Sequence, residues 1–173
     1  MNDFLIRAAT AEDLVALARI EMEAAALFPS EVLPLSARGV VPTEKLQAAI
    51  THSCLWVAER AESEVIGFIA ASGYGASLHV EEIDVAPAQM RRGVGAQLLK
   101  HLPQVAATRG HLHVTLTTFA HIPWNAPFYR KYGFTEVQNV AQFPHLAAAL
   151  QAEHARGLRN RVAMVRDTAL SAA

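Results

Sequence analysis

Apolar residues change their spacing several times along the chain, and each change marks an element. Alternating or continuous apolar runs bounded by turn residues predict strands at 4–8, 55–59, 65–72, 77–85, 111–117, 134–140 and 161–166. Recurrence every three or four residues predicts helices. Leu14, Leu17, Ala18, Met22 and Ala25 form one face of the first, with Thr10 as its cap and Asp13 in the box position. Leu46, Ala49 and Ile50 line a second, at 43–52. Val94, Leu98, Leu102 and Val105 line a third, which Gly110 ends. Pro103 lies inside that helix. It removes a backbone bond at a cost of about 3 kcal/mol, which predicts a kink or break near Leu99. A short helix at 125–132 closes at Gly133, and Pro144 opens a last one that runs to Arg156.

Three strands on short turns, from 55 to 85, form an antiparallel meander. The helix between the strands at 77–85 and 111–117 then implies a right-handed parallel crossover. The expected class is α/β, or α+β: a mixed sheet of about seven strands with helices on both faces. One domain is expected over 1–167, with a frayed tail at 168–173. The segment 28–41 carries Pro29, Pro34 and Gly39 and reads as a loop. Phe28, Val32, Leu33 and Leu35 make it apolar, so it either folds onto the core or walls a substrate pocket.

Composition narrows the setting. A formal charge of −1 over 173 residues gives no bulk attraction to nucleic acid or acidic membranes. Cys54 is the only cysteine, so no intrachain disulfide can form. The first residues lack the pattern of a signal peptide, and no apolar run is long enough for a membrane span, so the cytoplasm is the expected location. An open mixed sheet leaves edges to cover, which is compatible with a homodimer.

Candidate chemistry concentrates after the strand at 77–85. Val85 is its last strand-like residue, and Pro87 cannot donate to a ladder. Arg91 and Arg92 precede Gly93-Val94-Gly95, and a helix starts there. Such a turn suits an anion, because the first helical amides lack intrahelical partners and the dipole favours negative charge. It is neither a P-loop nor a dinucleotide fingerprint: no Gly-Lys-Ser/Thr follows, and Leu98 occupies the third small position. The alternative is a tight turn with solvated arginines.

Two stretches together resemble the GNAT superfamily of N-acetyltransferases, which use acetyl-CoA. The first is Val85-Ala86-Pro87, then Met90-Arg91-Arg92-Gly93-Val94-Gly95, then Leu98-Leu99. The second is Phe128-Tyr129-Arg130-Lys131-Tyr132-Gly133-Phe134, with Asn125 one turn earlier. The resemblance covers the whole chain and implies a GNAT-like fold with a mostly antiparallel central sheet. It departs at Met90, where the family usually has Gln or Arg; Gln89 and Arg91 flank that position.

The resemblance also implies roles. The amides of Arg92, Gly93, Val94, Gly95 and Ala96, with Arg91 beside them, would hold the acetyl-CoA pyrophosphate, and the backbone near Val85 would pair with pantetheine like an added strand. Asn125 would hold the pantetheine or cap its own helix. Tyr129 would protonate the leaving thiolate, since a phenol keeps its proton at neutral pH; otherwise it is a packed aromatic. Family members often carry a carboxylate on the preceding strand. Glu81 is the first choice as base, with Glu82 and His79 next and water as a further route; the carboxylates could instead only bind the acceptor's ammonium. His111 and His113 lie two apart, but no third ligand accompanies them at a familiar spacing, so no metal is expected. The expected reaction is direct acetylation of a primary amine, more in keeping with a small molecule than with a polycation. Three other readings stay open: a non-catalytic acyl-CoA-binding or regulatory protein, a protein or peptide N-acetyltransferase, and a nucleotide-binding module, which would be stabilised by ATP or NAD and not by CoA.

Overall fold

A computed structural model of the chain describes residues 3–34, 37 and 39–168. The elements are β1 (Phe4–Ala8), α1 (Leu14–Ala25), α2 (Thr43–Thr51), β2 (Leu55–Arg60), β3 (Val65–Tyr74), β4 (Ser77–Val85), α3 (Val94–Thr108), β5 (His113–Phe119), α4 (Ala126–Arg130), β6 (Thr135–Glu136), α5 (Pro144–Ala155) and β7 (Arg161–Asp167). The strands form one mixed sheet in the order β1-β2-β3-β4-β5-β7-β6. β4 and β5 run parallel across the α3 crossover, and β1–β2, β2–β3, β5–β7 and β6–β7 are antiparallel. The expected α/β class and mixed sheet are therefore present.

By its contacts the chain divides into two compact units. One holds the residues up to Ser72 with Glu81–Leu99; the other holds Gly73–Val80 with the chain from Lys100 on. In the first unit, Leu17 and Ile20 of α1 and Leu46 of α2 bury against Leu55, Val57, Val65, Phe68 and Ala70 of β2 and β3. Successive strand residues point to opposite faces. Phe68 and Ala70 therefore lie under α1 and α2, while Gly67 faces Val94 and Leu98 at the start of α3. The predicted cap at Thr10 is present, since the Asp13 carboxylate accepts the Thr10 N–H at 2.7 Å. Arg7 of β1 grips both oxygens of Asp13 at 2.8 and 2.9 Å and reaches Glu59 at 2.7 Å. Hydrogen bonding from Arg7 holds the Asp13 carboxyl below the usual carboxylate range. From the segment at 28–41, the Val41 N–H donates to both oxygens of buried Glu21, at 2.8 and 2.9 Å. Leu35 lies outside the described residues.

In the second unit β5 and β7 pair along their whole length, from His113↔Asp167 to Phe119↔Arg161, and α5 lies on both. Glu153 of α5 accepts from Thr117 at 2.6 Å and from Arg161 at 2.8 and 2.9 Å, fixing the helix to the sheet. Thr168 hydrogen-bonds through both its N–H and its hydroxyl, to Leu112 and His111. The rest of the tail expected at 168–173 is outside the described residues.

Several predicted boundaries shift by a residue or two, and three departures matter most. α3 runs unbroken through Pro103. Leu98, Leu99 and Leu102 are fully buried, and burial worth about 1.5–3 kcal/mol for each side chain outweighs the lost backbone bond. β5 starts two residues late, at His113. The strand expected at 134–140 shrinks to Thr135–Glu136. Val137 still donates to Ala163, but Asn139 then turns the chain by accepting the Ala141 N–H with its side chain.

Candidate active site

The stretch from Glu81, in the second half of β4, to Leu99 of α3 belongs to the first unit. The parallel β4–β5 ladder covers Ser77↔His113, Leu78↔Val114 and His79↔Thr115, while β4 itself continues to Val85. Ala86 still donates to Ile66 of β3 at 2.9 Å, so the end of β4 stays anchored on that side. Pro87 opens a single 3-10 turn to Gln89, as its fixed φ favours. Arg91 and Gly93 then take left-handed conformations, with φ of +61° and +86°. A Cβ built on Gly93 would meet nothing within 4 Å, so the loop is open at that point. Arg91 and Arg92 are exposed, Met90 is half-buried, and Val94 is buried as α3 begins. Gln97 donates to Gly93 at 3.0 Å, so the amides of 94–96 precede the first intrahelical bond. No acidic residue lies in that first turn. This is a basic, open turn with main-chain donors at a helix N-terminus, and it fits a phosphate-bearing ligand.

Gly67 makes the arrangement possible. A Cβ there would lie 2.9 Å from the Asp84 carbonyl oxygen, 3.1 Å from Val94 and 3.4 Å from Leu98. Only glycine lets the start of α3 sit this close to β3 and β4.

The carboxylates of β4 face differently. Glu81 is exposed, whereas Glu82 and Asp84 are only partly open to solvent. Burial pushes the Asp84 carboxyl well above the usual range, and the negative charges of Glu82 and of Glu21 from α1 push it further. Burial likewise raises Glu21, against the opposing hydrogen bond from Val41. Asp84 was not among the candidates read from the sequence. Strand alternation puts it with Glu82, but the charge that completes the group comes from α1, a contact with no local signal.

Tyr129 and Asn125 lie in the second unit. Tyr129, 7% exposed, sits on α4 with its ring centroid 5.3 Å from Phe128 and 6.0 Å from Phe134. Gly133, at φ +82°, ends that turn, and Arg166 donates to the Tyr132 carbonyl at 2.9 Å. Asn125 precedes α4, yet its side chain makes no capping bond, and its buried Oδ1 has no hydrogen-bond partner among the described residues. A buried acceptor without a partner is costly. A hydrogen-bond donor on a ligand would satisfy it.

His79 is buried, with Nδ1 3.1 Å from the Thr115 hydroxyl. His111 Nδ1 lies 3.1 Å from the Gly75 carbonyl oxygen and His113 Nδ1 lies 2.8 Å from Asp167. Among the described residues no group of three or more His, Cys, Asp or Glu is placed to hold a metal ion. Cys54 is buried, while Trp124 and His121 before α4 are exposed. No helix among the described residues is long and apolar enough to cross a membrane.

Residues 51–136 match the family model described as an acetyltransferase (GNAT) domain. Solved structures share the fold. The PaiA N-acetyltransferase from Thermoplasma acidophilum, in complex with coenzyme A, aligns at a TM-score of 0.70 and 20% identity, over 96% of this chain and 99% of that one. A ribosomal-protein-alanine N-acetyltransferase from Brucella melitensis aligns at 0.67 and 21% identity, over 94% and 99%. The N-acetylglutamate synthase from Neisseria gonorrhoeae, complexed with coenzyme A and N-acetylglutamate, aligns at 0.72 and 18% identity, over 98% of this chain and 36% of that one. The family's signature residues, on the β4–α3 turn and the α4 helix, both lie in the stretch at 51–136 that matches the GNAT acetyltransferase domain.

Proposed function

We propose that the chain, acting as one domain over 1–167, transfers an acetyl group from acetyl-CoA to a primary amine of a small acceptor. The observation that carries this reading is the turn at Arg91–Gly93 between a strand running past its parallel ladder and an open helix N-terminus. The family-model match and the coenzyme A seen with related structures support acyl transfer from a CoA thioester. The names of those neighbours span an amino-acid product and a ribosomal protein, so the acceptor does not follow from the fold.

Acetyl-CoA, when bound, supplies the activated acyl group and a thiolate leaving group. The main-chain amides at 92–96, with Arg91 and Arg92 beside them, hold the pyrophosphate. Backbone at Val85 pairs with the pantetheine amides, and Asn125 Oδ1 accepts from one of them. An alkylammonium, with a pKa of about 10, must lose a proton before it can attack. Glu81, Glu82 and Asp84 are the candidate carboxylates of β4 for this step, the last two sharing one face. The carboxylate of Asp84, raised by burial, is a stronger base than an ordinary carboxylate, and the charges of Glu82 and Glu21 draw a cationic acceptor towards it. Tyr129 keeps its phenolic proton at neutral pH and delivers it to the departing sulfur. The amine attacks the thioester carbon directly, the C–S bond breaks, and no acyl-enzyme forms.

Thiol release from acetyl-CoA over a panel of small primary amines tests the proposal. Amine-dependent release supports it. Thermal stabilisation by acetyl-CoA with no release on any amine would favour a non-catalytic acyl-CoA-binding role, which Met90 in place of Gln or Arg would suit. Release with peptide N-termini alone would reassign the acceptor.

A further inference from the structure

The proposed transfer gives no role to a cleft of about 450 Å3 in the second unit, where β3 ends and β5 and α5 begin. That volume lies within the range of about 300–1,000 Å3 typical of small-molecule sites. Tyr74, Phe143, Pro144 and His145 provide flat or apolar walls, and His113 and Gln142 provide polar edges. Tyr74 is 44% exposed although it is a large aromatic. Its ring lies parallel to that of His145, at 7° and a centroid distance of 4.9 Å. His145 is fixed from behind: its Nε2 is 3.0 Å from the Thr115 hydroxyl, which is 3.1 Å from His79 Nδ1, and both partners are buried. Phe143 meets His113 edge-on at 5.5 Å, and Asp167 engages Nδ1 of that histidine at 2.8 Å. The aromatic surface is therefore held in place before any ligand arrives, which lowers the entropic cost of binding.

The polar groups define the ligand. None of the lining residues is Lys, Arg, Asp or Glu, and the Asp167 carboxylate beside the cleft is engaged by His113, so a charged ligand would lose its hydration without an unengaged counter-charge in the wall. A glutamine amide offers a donor and an acceptor together, and His113, whose Nδ1 is engaged by Asp167, offers its Nε2. We propose that this cleft binds an uncharged planar nitrogen heterocycle of purine size. Tyr74 stacks on the ring, and Gln142 and His113 hydrogen-bond its edge. Stacking of this kind carries most of the affinity and tolerates ring substitution.

Adenosine is the probe. The histidine Cε1–H signals of the full chain are followed by NMR during a titration, first alone and then with saturating acetyl-CoA. The His113 and His145 signals should shift saturably in both series, and AMP should bind no tighter than adenosine. Tyr74→Phe keeps the ring and should bind as the unaltered chain does, while Tyr74→Ala should weaken binding at least about fivefold. Gln142→Ala, at an exposed position, should also weaken it and guards against misfolding of the tyrosine variant. Absence of saturable shifts, equal affinity in Tyr74→Ala and Gln142→Ala, or loss of the shifts once acetyl-CoA is present would each overturn the proposal. The last outcome would place the purine in the acetyl-CoA site instead.

Discussion

Gly67→Ala adds one methyl group at the closest approach between β3, β4 and α3. The new Cβ would lie 2.9 Å from a main-chain oxygen of Asp84, which cannot rotate away, and 3.1 Å from Val94 Cγ1. Relief requires the end of β4 and the first turn of α3 to retreat by a few tenths of an ångström. Overpacking of this kind costs about 1–3 kcal/mol, and replacing glycine within a strand returns about 0.5–1 kcal/mol. The net loss of about 1–2 kcal/mol corresponds to a fall in Tm of roughly 2–8 °C for a chain of this size. The elements that move are those proposed to hold acetyl-CoA, so affinity for it should fall beyond what the stability loss alone would cause. Gly75→Ala is the matched control: φ is +57° there, so alanine is strained, but a Cβ would touch nothing within 4 Å. Differential scanning calorimetry and acetyl-CoA titration of both variants separate the two effects. If Gly67→Ala binds acetyl-CoA as the unaltered chain does, or if Gly75→Ala loses affinity to the same extent, the close approach at Gly67 does not position the site.

Tyr129→Phe should lower kcat by about a hundredfold, as loss of a general acid does, with little change in KM for acetyl-CoA; unchanged steady-state turnover would remove the acid role. Asp84→Asn should raise Tm at pH 7 while lowering turnover. The Asp84 carboxyl titrates higher in the folded chain than its unfolded value near 3.9, so its favourable contribution is present at low pH and is lost as pH rises through the folded value. The stabilisation by Asn should accordingly vanish in melts below about pH 4. Asp13→Asn should destabilise by about 2 kcal/mol at neutral pH through loss of the charged partner of Arg7 and of the cap. The folded Asp13 value is depressed, so that difference should persist down to about pH 4 and disappear as pH falls through the folded value, as urea denaturation at several pH values would show.

The strands and the candidate loop were legible because their signals are local. Pro87 marks the end of β4, and Arg91 to Gly95 carry the turn chemistry within a few residues. The penalty of Pro103 is local and predicts a break, whereas the burial of Leu98, Leu99 and Leu102 that overrides it depends on the sheet beneath. The insertion of β7 between β5 and β6 involves residues far apart in the chain, and strand periodicity does not specify such pairing. The same limit applies to the site. Glu82 is readable as a carboxylate beside the loop, but the perturbation of Asp84 comes first from burial, and the added charge of Glu21 comes from α1, neither of which is a local signal. Gly67 read as one more strand residue until the start of α3 was seen packed on it. The His79–Thr115–His145 chain joins three elements, and no spacing in the sequence announces it.

Isothermal titration with acetyl-CoA, comparing the unaltered chain with Gly93→Glu, tests the pyrophosphate loop most directly. At φ +86° any side chain is strained, and a carboxylate there would face the incoming phosphates. Saturable one-to-one binding by the unaltered chain and none by the variant is the expected outcome. Equal binding by both would show that the turn at Arg91–Gly93 does not hold acetyl-CoA.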